Sequence, residues 1–257
     1  MDRQTPRRTK IVATLGPATS TAEAVTALAR AGMDAARFNF SHGTRDEHAE
    51  RAEYVRAAQA AVGRPLALIA DLQGPKIRVG NLPEPMRLDS GSTITVVGED
   101  AMNGHKDELP VSPTVLGEVL QPGHEVLIDD GRLRLRVERV ESGRATCAVV
   151  AGGTVTSHKG VNVPGVPIPI PSLTRKDLDD LEFALEHLEV DYVALSFVRS
   201  AADVRDLQDL IEHAGSRARV IAKIEKAEAV DCLAELLGET DAVMVARGDL
   251  GVEIGVA

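Results

Sequence analysis

Several short segments of this chain place charged or hydroxyl side chains where an apolar run has just ended. Arg37, Asn39 and Ser41 alternate with Phe38 and Phe40, so in a strand they share one face and the rings share the other. That polar face suits an anion needing hydrogen bonds and positive charge, although an edge strand with a solvated face gives the same pattern. Lys223 and Glu225 flank Ile224 in the same way. They form either a structural ion pair or part of a larger polar site, since burying such a pair alone is costly. Asp249 follows the apolar run Val243–Ala246, one strand–helix repeat after Glu225. Two carboxylates at equivalent strand ends offer what Mg²⁺ accepts, namely few protein oxygens with the rest from water or phosphate. They are equally compatible with a structural role. Ser196 and Arg199 follow another strand, where Ser196 could simply cap a turn, and Gly74-Pro75-Lys76-Ile77-Arg78 after Asp71 could be only a rigid turn. His42, in a loop beside Gly43, carries no assignment alone. Together these strand ends point to one anionic, metal-bound substrate.

The elements that must hold these residues read as alternating strand and helix. Ile11–Leu15 is a strand stopped by Gly16-Pro17. Ser20 with Glu23 predicts a capping box for a helix to about Ala31, and Thr44 with Glu47 repeats it for a helix to about Val62, stopped by Gly63. Further strands fall at Ala35–Phe40, Leu66–Leu72, Tyr192–Phe197, Val220–Glu225 and Ala242–Ala246, with Ser200 and Asp203 opening the helix after the fourth. Helices between strands imply a parallel sheet with right-handed crossovers. Six strands fit either an open doubly wound sheet or part of a closed barrel. Gly16-Pro17-Ala18 is not a dinucleotide fingerprint, which weakens the first.

From about Arg78 to Pro171 the helical period disappears. Thr93–Val97 and Arg132–Val137 alternate with period two, and Ser142-Gly143 is a hairpin turn before Thr146–Val150. This predicts an antiparallel β module inserted after the third strand, which in a (β/α) barrel is the active-site end and the place for a lid. Pro164–Pro171 reads as a stiff extended connector. The expected division is residues 1–75 and 166–257 for the barrel and 76–165 for the lid.

A formal net charge of −10 and 2% aromatic residues without Trp argue against a nucleic-acid binder. The basic start MDRQTPRRTK leads into the α/β pattern with no apolar signal core, and no run is long enough to span a bilayer. Cys147 and Cys232 are isolated from each other, so neither a disulfide nor zinc is expected, which fits a reducing cytoplasm.

Arg37-Phe38-Asn39-Phe40-Ser41-His42-Gly43, Asp71-Leu72-Gln73-Gly74-Pro75-Lys76-Ile77-Arg78, Lys159-Gly160-Val161-Asn162, Ala194-Leu195-Ser196-Phe197-Val198-Arg199, Ala222-Lys223-Ile224-Glu225 and Met244-Val245-Ala246-Arg247-Gly248-Asp249-Leu250-Gly251 resemble pyruvate kinase motifs in the family's order, from about Thr9 to the last residue. The resemblance implies an α/β fold, an incomplete (β/α)₈ TIM barrel with an inserted antiparallel β-barrel-like lid. It implies glycolytic transfer of a phosphoryl group from phosphoenolpyruvate to ADP, giving pyruvate and ATP in the cytoplasm. Glu225 and Asp249 would hold Mg²⁺ or Mn²⁺. Lys223 and Arg37 would be catalytic, with Arg37, Ser196, Lys223, Gly248 and Asp249 along the substrate. Asn39, His42, Arg78 and Lys159 would face the nucleotide phosphates, Lys159 on lid closure.

Two departures from the family pattern matter. Many members bind K⁺ through residues equivalent to Asn39, Ser41, Asp71 and the Leu72 carbonyl, and carry Glu where this chain has Lys76. This chain resembles the potassium-independent branch, in which the Lys76 ammonium would supply the charge K⁺ otherwise brings. The resemblance also implies two further βα units and a C-terminal domain serving a homotetramer, beyond Ala257. The 257 residues alone are therefore expected to be weakly active or inactive, with exposed apolar barrel interior. A catalytically incompetent fragment that binds Mg²⁺ and phosphoenolpyruvate, or complements a separate chain, is the competing expectation. Another phosphoenolpyruvate-using barrel is a further alternative, one that leaves the lid unexplained.

Overall fold

The computed structural model describes residues 7–255; the first six residues of the basic start and the last two of the chain lie outside them. Six strands form one sheet in chain order: β1 Val12–Thr14, β2 Ala35–Asn39, β3 Ala67–Asp71, β4 Tyr192–Leu195, β5 Arg219–Ile224 and β6 Ala242–Val245. Pairing is parallel from β1 through β5, with β6 beside β5. A doubly wound sheet reverses its direction of growth at a switch point. This sheet has no reversal, and the winding is that of a (β/α) barrel. The register sets Thr14 opposite Arg37, Asn39 opposite Asp71, and Asp71 opposite Ala194. The strands' C-terminal ends are therefore level.

The chain forms two compact units. One comprises residues up to Gly74, Ser172–Lys223 and Ala234–Met244; the other comprises Pro75–Pro171, Ile224–Leu233 and the residues from Val245 on. In the first, helices α1 Ala22–Ala31, α2 Arg45–Val62, α3 Arg175–Phe183 and α4 Ala201–His213 follow their strands. For α2 the expected box is present: Glu47 N–H donates to Thr44 Oγ1 at 3.3 Å, and Thr44 N–H donates to the Glu47 carboxylate at 2.9 Å. Gly63, at φ 65°, ends the helix in the left-handed region that favours glycine. For α1 the expectation of Ser20 is corrected to Thr21, whose Oγ1 accepts from Ala24 N–H at 3.2 Å. Pro17–Thr19 form a 3₁₀ turn that takes up Ser20, its hydroxyl donating to the Pro17 carbonyl at 3.0 Å. Ala35, Ile69, Ala194 and Ile221 form one apolar layer, one residue from each of β2 to β5. On the outer strands Val12 and Val245 are 49% and 57% exposed, so apolar side chains reach solvent there.

In the second unit, seven strands run in the order Val161–Asn162, Glu125–Ile128, Leu133–Glu141, Arg144–Ala151, Thr93–Gly98, Glu108–Ser112 and Arg78–Val79. The two outermost strands are joined by a bridge between Arg78 and Gly160, and by Val79 N–H donating to the Lys159 carbonyl at 2.8 Å. That leaves a barrel-like sheet with its edges largely consumed. Period two holds along Leu133–Val137, with Leu133, Leu135 and Val137 buried and Arg134 and Arg136 exposed. The hairpin turns at Ser142 and Gly143, both at positive φ. The antiparallel expectation has one exception, because Thr93–Gly98 pairs parallel with Glu108–Ser112. The Pro-rich connector departs from the extended expectation at its start, where Pro164-Gly165 form a turn with Gly165 at φ 70° and Val166 N–H donating to the Val163 carbonyl at 3.3 Å, and Val166 and Ile168 are buried in the sheet's own core.

Cys147 sits in that core, and burial pushes its thiol up to about 12. Only about one thiol in 10⁴ is then thiolate at pH 8, the form that reacts. Alkylation of Cys147 in the folded chain is expected to need opening of the module. Leu135→Ala removes a fully buried side chain and should destabilise by about 2–5 kcal/mol. Peptide mass spectrometry should show Cys147 labelling at least about tenfold faster in that variant; an unchanged rate contradicts this account of the core.

Candidate active site

In the first unit, one buried carboxylate organises the ends of four consecutive strands. Asp71, the last residue of β3, is 1% exposed. Arg37 of β2 donates through Nε to Asp71 Oδ2 at 2.6 Å and pairs with the same oxygen through Nη2. Lys223 of β5 brings Nζ to 3.1 Å from Asp71 Oδ1. The same ammonium donates to Ser196 Oγ at 2.6 Å, and Ser196 Oγ donates to the Leu72 carbonyl at 2.7 Å. The outer end of Arg37 is steadied by Nη1 donating to Thr14 Oγ1 at 2.7 Å. Arg37 and Lys223 thus both pair with Asp71 at the C-terminal ends of the strands. The chain bends sharply beside Ser196: Phe197 is left-handed at φ 55°, costly for a bulky residue. A Cβ on Gly74 would come within 2.8 Å of Ser196 Cβ, so only glycine fits that approach.

Asn39 and His42 line a cavity of about 560 Å³ in the same unit, together with Leu15, Pro17, His48 and Arg51. Asn39 Oδ1 accepts from Ser41 N–H at 3.1 Å, which shapes the turn after β2. His48 is buried, with Nε2 3.0 Å from the His42 carbonyl and Nδ1 lacking a hydrogen-bond partner. Burial lowers its pKa, and an Nε2–H tautomer donating to the carbonyl leaves Nδ1 as an acceptor. A larger cavity, of about 640 Å³, opens at the opposite end of the strands. Its lining includes Glu186, Glu189, Asp191, Arg217 and Arg219, and Asp191 accepts from Leu68 N–H at 2.8 Å.

The second unit holds the remaining residues. Glu225 directly follows β5 and is 2% exposed. Asp249 lies in the first turn of α5 (Arg247–Ile254), beside exposed Gly248, with Lys76 Nζ 3.5 Å from its Oδ1. One buried and one half-exposed carboxylate supply the hard oxygens that Mg²⁺ or Mn²⁺ takes. Among the described residues no group of three or more His, Cys, Asp or Glu side chains converges, so a cation here would draw its other ligands from water or substrate. Lys159 Nζ donates to Asp129 at 2.7 Å, and Lys159 beside Asp129 holds that carboxyl below the ordinary aspartate range. Arg78 donates through Nη1 to the His158 carbonyl at 3.1 Å.

Sequence reasoning passed over four partners: Thr14, which braces Arg37; Asp129, which holds Lys159; and Lys226 with Glu253, joined at 2.6 Å. Thr14 and Asp129 carry the one signal available, a polar residue at a strand end. Glu253, inside Gly251-Val252-Glu253-Ile254, carries none.

Residues 6–257 match the family described as pyruvate kinase, barrel domain. The pyruvate kinase of Mycobacterium intracellulare is 47% identical over 249 residues, covering 96% of this chain and 52% of that protein. That of Mycobacterium tuberculosis is 48% identical over 254 residues, with the same coverage. A pyruvate kinase from Cryptosporidium parvum has a solved structure that superposes with a TM-score of 0.91 at 34% identity, covering 96% of this chain and 52% of its own. The chain spans about half the length of these relatives. With its level strand ends and its charged, carboxylate-bearing C-terminal face, this chain belongs to the pyruvate kinase family.

Proposed function

We propose that the chain carries the phosphoenolpyruvate face of a pyruvate kinase, which moves a phosphoryl group from phosphoenolpyruvate to ADP. The observation that most supports this is the pairing of Arg37 and Lys223 with one buried Asp71, with Ser196 between them. Phosphoryl transfer asks the protein mainly for positioning and charge. Arg37 would hold the phosphoryl oxygens. Lys223 would stabilise negative charge on the transferring group and on the enolate left behind, from a position already fixed before substrate arrives. Ser196 and the Gly248-Asp249 segment would lie along the substrate. Asn39 and His42, with Arg78 and Lys159, would face the nucleotide phosphates. Glu225 and Asp249 would hold Mg²⁺ or Mn²⁺, which when bound neutralises phosphoryl oxygens. A place in cytoplasmic glycolysis and a homotetrameric full-length protein belong to the same proposal; among the described residues no helix is long and apolar enough to cross a membrane.

K⁺ independence is part of this reading. In the first unit, the Asp71 carboxylate already faces two protein cations, and the Leu72 carbonyl accepts from Ser196. In the second unit, the Lys76 ammonium lies 3.5 Å from Asp249 Oδ1.

The primary test titrates phosphoenolpyruvate into the chain with and without Mg²⁺, then assays pyruvate release with ADP. Mg²⁺-dependent binding with turnover is expected of a working kinase. Binding without turnover restricts these 257 residues to a binding role, and no Mg²⁺-dependent binding rejects the reading. Where turnover is measured, Lys223→Met should lower kcat by about 10²–10³-fold, the scale for losing one preorganised charge-stabilising donor. Turnover in buffer free of K⁺ and Na⁺ should match that with K⁺, and Lys76→Glu should create a K⁺ requirement. A strict K⁺ requirement in the unsubstituted protein refutes the role given to Lys76.

A further inference from the structure

Glu253 is 4% exposed and its side chain is fully enclosed, with Oε1 accepting from Lys226 Nζ at 2.6 Å. Its Oε2 has no hydrogen-bond partner, and neither has Oε2 of Glu228, whose charge acts on Glu253. A buried ion pair left partly unsatisfied is poor value as stabilisation, since apolar side chains of similar volume do as well or better. Its placement supplies another reason. Lys226 is the residue after Glu225, and Glu253 stands one helical turn beyond Asp249 on α5. A second tie joins the same two segments, Ala246 N–H donating to the Ile224 carbonyl at 3.2 Å. Residues 224 and 226 bracket Glu225, while residues 246 and 253 bracket Asp249. The two carboxylates are therefore held between one backbone tie and one buried ion pair.

We infer that Glu253 is a positioning residue for the divalent cation: through Lys226 it clamps the segment bearing Glu225 against the helix bearing Asp249. This rests on the reading of Glu225 and Asp249 as the cation's ligands. Groups that orient metal-binding side chains commonly matter about 10- to 100-fold in metal affinity. Lys226 carries the tie through a long ammonium stem, so a neutral residue of similar size at either end removes the charge pairing while keeping the volume.

The test is Mn²⁺ affinity of the 257-residue chain, read from the electron paramagnetic resonance signal of free Mn²⁺, with the folded fraction measured in parallel. Glu253→Gln and Lys226→Gln should each weaken Mn²⁺ binding about 10- to 100-fold per folded molecule. The exchanged pair, Lys226→Glu with Glu253→Lys, should recover part of that loss, which a merely space-filling role would not produce. Unchanged affinity per folded molecule in both single variants overturns the inference. If Glu253→Gln does not fold, Lys226→Gln and the exchanged pair decide it by the same criterion. A wild-type chain that binds no Mn²⁺, with or without phosphoenolpyruvate, overturns the ligand reading itself and this inference with it.

Discussion

Asp71 is a carboxylate at 1% exposure inside a parallel sheet, and the arrangement of polar groups in the first unit follows from how its charge is matched. Leaving such a group unpaired would cost several kcal/mol. Arg37 reaches it from the neighbouring strand and Lys223 from two strands away, past Ser196. Each cation is thereby held in one conformation, so little side-chain ordering remains when an anion binds.

The second unit uses the same device twice. Glu108, 1% exposed, accepts from the backbone N–H groups of Asn103, Gly104 and His105 and pairs with Arg144, fixing the loop that precedes its strand. Asp129 holds Lys159 from a residue in the left-handed region. In the proposed kinase a nucleotide phosphate would exchange with Asp129 for that ammonium.

Much of this was legible in the chain because the signals are local. Thr44, Glu47 and Gly63 delimit α2 by capping chemistry that needs no tertiary context. The alternation of Leu and Arg along residues 133–137 fixes which face is buried. Ser20 misled because Pro17 opens a 3₁₀ turn that competes for its hydroxyl and passes the cap to Thr21. The placement of Arg37 and Asn39 opposite the two Phe rings also follows from period two alone. What stayed hidden is which charge meets which. That Asp71 would gather Arg37 and Lys223, or that Glu253 would meet Lys226, depends on strand order and helix rotation, which periodicity does not encode.

Strand order also explains how so long an insertion is tolerated in the middle of the sheet. Parallel pairing sends every C-terminal end to the same side, so residues as distant in sequence as Thr14 and Lys223 end at one level. The β module enters between β3 and β4, yet these strands pair with Tyr192 opposite Ile69 as regularly as β2 pairs with β3. A connection that folds on its own core adds little strain to the sheet it interrupts. Even as a flexible loop, each doubling of its length would cost only about 0.6 kcal/mol of closure entropy. The register between β3 and β4 sets Asp71 opposite Ala194, which lets Ser196 Oγ reach the Leu72 carbonyl and accept from Lys223 Nζ, and a one-residue slip would turn that hydroxyl to the opposite face.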